Sequence, residues 1–208
     1  MLTLGEFHKL VSDSLRRGTA QDAYIPGQVK LAAKWLERNY TFRYMERFRL
    51  LQVAAMDRTI KFPDNVVVKA VKFIRLIGED GVYRELRQVD PRDLRSTGVG
   101  YPSAFWKVGD NVLVLNTSSD TPLAGEGVLF EYTDWPTADD STHPLINLAA
   151  DVLLQQSLLF LAAFLRDPDI GAVYKVLRDE ALNTLTRAED EGVYGGASYS
   201  MVFGANPP

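Results

Sequence analysis

The chain carries two histidines, His8 and His143, and no cysteine. His143 is the one whose neighbours suggest chemistry, because Asp139, Asp140, Ser141 and Thr142 precede it. A histidine beside carboxylates has the makings of an acid–base pair or of part of a metal site. The same letters also open helices: Asp, Ser and Thr accept from the free N–H groups of a first turn, and acids favour its positive end. Pro144 and a long apolar run from Leu145 follow at once, so 139–143 reads more strongly as a helix cap than as a reactive cluster. His8 falls inside a helical pattern and reads as a packing or surface residue, not a ligand.

Other chemistry is equally thin. Gly98-Val99-Gly100 lacks the glycine spacing and the Lys-Ser/Thr of a phosphate loop. There is no Gly-x-Ser-x-Gly elbow and no His-Glu-x-x-His helix. Without cysteine there are no disulfides, no Cys-ligated zinc and no thiol catalysis, as suits a chain made in a reducing cytoplasm. Met1 to Glu6 shows no basic stretch followed by an apolar run, so it does not read as a signal peptide. The expectation is therefore no catalytic residue, no cofactor and no metal, and an assembly subunit instead of an enzyme. The enzyme reading that remains is a hydrolase built on Asp139, Asp140 and His143.

Charge points to contacts with protein. Residues 1–100 hold 18 Lys/Arg against 12 Asp/Glu, and residues 101–208 hold 5 against 15. A basic half and an acidic half suit head-to-tail association, which pairs two different patches of one subunit; the alternative is that both sets are simply solvated. Lys30, Lys34 and Arg38 recur at i, i+4, i+8, away from the apolar stripe of their helix. Such a row can line a channel and meet phosphates, or it can be a solvated or inter-subunit face. The acidic total, −4, argues against a general nucleic-acid binder.

The elements that must carry these residues follow from periodicity. Thr3 and Glu6 form a capping box for a helix with Leu4, Phe7, Leu10, Val11 and Leu15 on one face, which Gly18 ends. Pro26 opens a second helix with Val29, Ala32, Ala33, Leu36 and Tyr40 inward. From about residue 48 the period changes to that of strands: 49–55, 59–62, 69–77, 82–86, 105–108, 112–115 and 128–133, with turns at Gly78-Glu79-Asp80-Gly81 and Gly109-Asp110-Asn111. One long apolar helix is expected over 145–165, with Asn147, Asp151 and Gln155 as a narrow polar stripe, and Asp151 with Gln155 and Gln156 near its centre makes a membrane span too costly. A last helix from Pro168 should turn Ile170, Val173, Tyr174, Leu177, Ala181 and Leu185 inward and stop at Glu191-Gly192. The predicted class is α+β: a four-helix bundle-like domain (1–47 and 141–191), an inserted, mostly antiparallel small β domain (48–140) and an extended C-terminal tail (192–208).

In that tail Tyr199, Met201 and Phe203 alternate with Ser198, Ser200 and Val202, the period of a strand with one apolar face. An apolar strand on a glycine-rich tether suits addition to a partner's sheet edge or insertion into a groove, or folding back on its own domain.

In this order the chain resembles the head-to-tail adaptor (connector) proteins of tailed bacteriophages, particularly short-tailed ones. The resemblance spans nearly the whole chain: a helical start, Phe62-Pro63-Asp64 leading into Val66 to Leu76, then Tyr101-Pro102-Ser103-Ala104-Phe105. Gly109-Asp110-Asn111-Val112-Leu113-Val114-Leu115, Phe130-Glu131-Tyr132 and a closing helix pair complete it. Where family members often continue with a Pro-x-Pro-Asp step, this chain has Asn116-Thr117-Ser118-Ser119-Asp120. The resemblance implies a structural virion protein at the head–tail junction, made in the host bacterial cytoplasm. It implies a dodecameric ring of copies beneath the portal protein, with a tail nozzle or tail-tube protein on the other face. DNA would pass through the central channel without sequence-specific contact, and no membrane is involved. The tail, with Tyr194, Tyr199, Met201, Val202 and Phe203, would grip the portal. The runner-up is a tail-completion or tail-tube-associated protein at another junction of the same particle.

Overall fold

Helix α1, Leu4–Leu15, starts on the capping box: Glu6 Oε2 accepts from Thr3 N–H at 2.9 Å and Thr3 Oγ1 from Glu6 N–H at 3.2 Å. The computed structural model describes residues 1–15, 19–78, 80–93 and 98–193, without the side chains at 19, 20, 93 and 188–193. Gly18 and all five tail residues, Tyr194, Tyr199, Met201, Val202 and Phe203, lie outside the described residues. The chain divides into two units, Met1–Arg43 with Asp134–Pro208, and Tyr44–Thr133.

The first unit is helical. A 3-10 turn at Thr19–Tyr24 leads into α2, Ile25–Asn39; then come α3, Pro144–Leu148, α4, Ala150–Phe164, and α5, Pro168–Val193. Helix α4 packs against α1, α2, α3 and α5, burying Val152, Leu153, Leu158, Leu161 and Ala162. Around it close Leu4, Phe7, Val11 and Leu15 of α1 and Ile25, Val29, Ala32, Ala33 and Leu36 of α2. The chain entering α1 is tied to the 139–147 segment. Leu4 N–H donates to Ser141 O at 2.8 Å, Gly5 N–H to Asp139 O at 2.9 Å and Leu2 N–H to Asn147 Oδ1 at 3.0 Å.

The second unit holds two four-stranded sheets. Its strands are β1 Glu46–Val53, β2 Thr59–Lys61, β3 Val68–Ile77, β4 Tyr83–Glu85, β5 Arg87–Gln88, β6 Ala104–Val108, β7 Val112–Leu115 and β8 Leu123–Glu131. The sheet orders are β1-β8-β3-β4 and β2-β7-β6-β5, antiparallel except where β5 meets β6. Leu51, Val53, Ile74, Leu76, Leu123 and Leu129 of one sheet share a hydrophobic cluster with Ile60, Phe105, Leu113 and Leu115 of the other. Gly109, at φ 62°, makes the left-handed turn between β6 and β7 that the Gly-Asp-Asn letters announce.

The expected four-helix bundle-like domain is not what forms, although the α+β class holds. There are five α-helices among the described residues, and the mostly antiparallel β segment is divided between two sheets, a division its strand pattern does not specify. The helix expected as one piece over 145–165 breaks at Ala149, whose φ of −140° and ψ of 43° serve as C-cap of α3 and entry to α4. Alanine is the best helix former, so nothing in the letters marks this break; Ala149 is fully buried, and tertiary packing overrides propensity. Nor does α5 turn its whole stripe inward, since only Tyr174, Ala181 and Leu185 of it are half-buried. Ile170, Val173 and Leu177 are exposed, while Gly171, Tyr174, Arg178 and Leu182 lie on the more covered side.

Strand β8 begins five residues before the expected 128 and contains Gly125 and Gly127. A Cβ on Gly125 would collide with the Arg75 carbonyl and reach Leu76 Cδ2 at 2.6 Å, so the central strand can pair on both sides only with glycine there. Gly125→Ala is accordingly expected to lower unfolding stability by about 2 kcal/mol through overpacking. Urea denaturation checks it; an unchanged midpoint would show that β3 yields at no cost.

Candidate functional site

The cluster 139–143 is built as a helix entrance. His143 is the N-cap of α3: its Nδ1 accepts from Leu145 N–H at 3.2 Å, which leaves the ring proton on Nε2. Nε2 lies 3.7 Å from Glu37 Oε1, and the ring packs on Trp135 with centroids 4.8 Å apart. Both His143 and Glu37 are buried, at 1% and 4% exposure. Asp139 is exposed and faces His8 instead, with Oδ1 3.9 Å from His8 Nδ1. The structure therefore does not bring Asp139, Asp140 and His143 together as a reactive trio. It gives His143 a carboxylate partner the sequence hid, since Glu37 looks like any solvated helix residue until α2 is packed.

No group of three or more His, Asp or Glu among the described residues could hold a metal ion, and no described helix is long and apolar enough to cross a membrane. In the second unit a cleft of about 310 Å³ is lined by Asp80, Arg84, Tyr101, Ser119, Asp120 and Thr121. Two of its charges are engaged with each other: Arg84 pairs with Asp80 and lies 4.9 Å over the Tyr101 ring.

What remains are surfaces, and the clearest in the first unit are on α2 and α5. Lys30, Lys34 and Arg38 are exposed on the side of α2 opposite Val29, Ala32, Ala33 and Leu36. Leu31 stands on that same basic side at 54% exposure, outside the predicted apolar stripe. On α5 Ile170, Val173 and Leu177 recur at i, i+3, i+7, with Val176 beside them, and form an apolar stripe facing solvent. Arg178 anchors this helix from its other side. Its guanidinium donates to Gln156 Oε1 at 3.1 Å and lies 5.2 Å over the Trp35 ring, tying α5 to α4 and α2. The stripe is thus carried on a helix whose other side is packed. Acidic residues lie beside it at Asp169 and Glu180, in contrast to the basic row of α2, while Asp179 is held by Arg178.

No protein-family model matches the chain, and no curated protein sequence matches it.

Burial pushes the His8 imidazole below its ordinary value, outweighing the opposite pull of Asp139. A base whose folded-state pKa is depressed stays neutral while the unfolded chain already takes up a proton, so its contribution is lost as pH falls through the unfolded value near 6.5. Stability should fall on acidification from pH 7.5 to 5.5, and His8→Gln should make that decline shallower. Thermal unfolding of both proteins across this window provides the comparison; parallel declines would remove His8 from the account.

Proposed function

We propose that this chain is a structural subunit of a bacteriophage virion: a ring-forming adaptor that joins the portal protein of the head to the tail and leaves a central passage for DNA. The observation that carries the reading is the apolar stripe of Ile170, Val173 and Leu177, exposed on a helix whose opposite side is already packed. Monomeric proteins seldom leave such a row uncovered, and contiguous exposed apolar surface marks sites of association. Acidic residues border the α5 stripe, and a basic row with Leu31 at its edge lies on the outer face of α2. Two unlike, charge-complementary faces on one subunit pair head to tail, and such contacts close into rings. The order of motifs from Phe62-Pro63-Asp64 to Phe130-Glu131-Tyr132 supports the adaptor in particular. On this reading Lys30, Lys34 and Arg38 meet the α5 acids of the next copy, and DNA passes without being read.

The test is a mass measurement of the purified chain alone and mixed with the portal protein of its particle. A defined oligomer on the portal is expected. Val173→Asp should weaken the subunit contact roughly tenfold or more, since it removes the burial of one valine and adds a desolvated charge beside acids. Binding to a tail-tube protein with none to the portal would move the chain to another junction of the particle. A Val173→Asp protein that assembles like the original would remove α5 from the contact.

A further inference from the structure

Three of the four sheet edges in the second unit are short: β2 and β4 have three residues each and β5 has two. The fourth, β1, runs for eight residues, pairs only with β8, and ends its sheet. Long open edges are normally blunted, because their unpaired N–H and C=O groups template pairing with another chain. Here the side chains invite it. Phe48 is 59% exposed and Leu50 79%, both on the sheet face turned away from the Leu51 and Val53 cluster. Through the pairing register Phe48 lies beside Val128, and Val128 beside Phe73, so an apolar row crosses three strands and stops at the open edge.

We infer that this edge receives residues 198–203 of a second copy of the chain as an added strand. The segment matches the edge in pattern and charge. Tyr199, Met201 and Phe203 would continue the row beyond Phe48 and Leu50, and Ser198, Ser200 and Val202 would face the side of Arg47, Arg49 and Leu51. No charged residue follows Glu191, so the added strand sets no like charge against Arg47 or Arg49. A second copy's β1 fits worse. Antiparallel registers that join Phe48 to Phe48, or Phe48 to Leu50, place Arg47 opposite Arg49 or Arg49 opposite itself, and directly opposed like charges destabilise a pair. The inference does not depend on the α5 contact or on a portal, and it assigns to the subunit's own neighbour a segment that the adaptor resemblance would send to a portal.

The chain has no cysteine, so disulfide trapping reads the contact directly. Full-length proteins carrying Leu50→Cys on one side and Tyr199→Cys, Met201→Cys or Phe203→Cys on the other are mixed and mildly oxidised. Directly opposed residues on adjacent strands lie within disulfide reach. A mixed, covalent dimer is expected with at least one of the three, and a yield roughly tenfold lower when Ser200→Cys or Val202→Cys, on the opposite face, replaces it. Circular dichroism of each protein confirms that the exposed substitutions leave the fold intact. Equal yields from both faces, or no mixed dimer, would overturn the inference. So would Leu50→Cys linking only to itself, which would put a second β1 at the edge. A double Leu50→Cys, Met201→Cys protein that closes only within one chain would place the segment on its own subunit and overturn it equally.

Discussion

Helix α4 carries apolar residues around most of its circumference, with Val152, Leu153, Leu158, Leu161 and Ala162 all buried. A helix of that kind has to be surrounded, and α1, α2, α3 and α5 each spend one face on it. That requirement decides what the other elements have left over. Helix α2 gives its Val29–Leu36 side inward and keeps Lys30, Lys34, Arg38 and Leu31 outward. Helix α5 gives Tyr174, Arg178 and Leu182 and keeps Ile170, Val173 and Leu177. The outward surfaces on which the functional reading rests are by-products of burying α4.

The polar groups near this core serve the packing. Gln156 is buried on α4 and is satisfied by Arg178 from α5, whose charge is also placed over Trp35. Ser157, wholly buried, donates to Leu153 O one turn back. His143 caps α3 and faces Glu37 across the interior. Each is a buried polar group with a partner, as an interior of low dielectric demands. The strand unit follows a parallel rule: β8 must pair on both edges, and Gly125 and Gly127 are the residues that let β3 approach closely enough.

Local signals were legible where they rest on a few neighbouring residues. The Thr3–Glu6 capping box, the Pro26 and Pro168 helix starts, and the Gly109 turn need only backbone geometry and one or two side chains, so their letters suffice. The Asp-Ser-Thr-His stretch was legible as a cap for the same reason, although the residue that caps proved to be His143. What misled was periodicity taken to its limit. An amphipathic stripe says which residues want cover but not whether the cover comes from the same chain, and Ile170, Val173 and Leu177 want it without finding it among the described residues.

By itself the sequence determined the helical and strand-like stretches, the polar character of α2's outer side, the alternation in 198–203 and the absence of thiol chemistry, because each is a property of residue type and spacing. The tertiary structure alone decided the break at Ala149, the division of the strands into two sheets, the pairing of Glu37 with His143, and the open β1 edge carrying Phe48 and Leu50. These depend on which segments distant in the chain come to share an interior, and no short window of sequence contains both partners of such a contact.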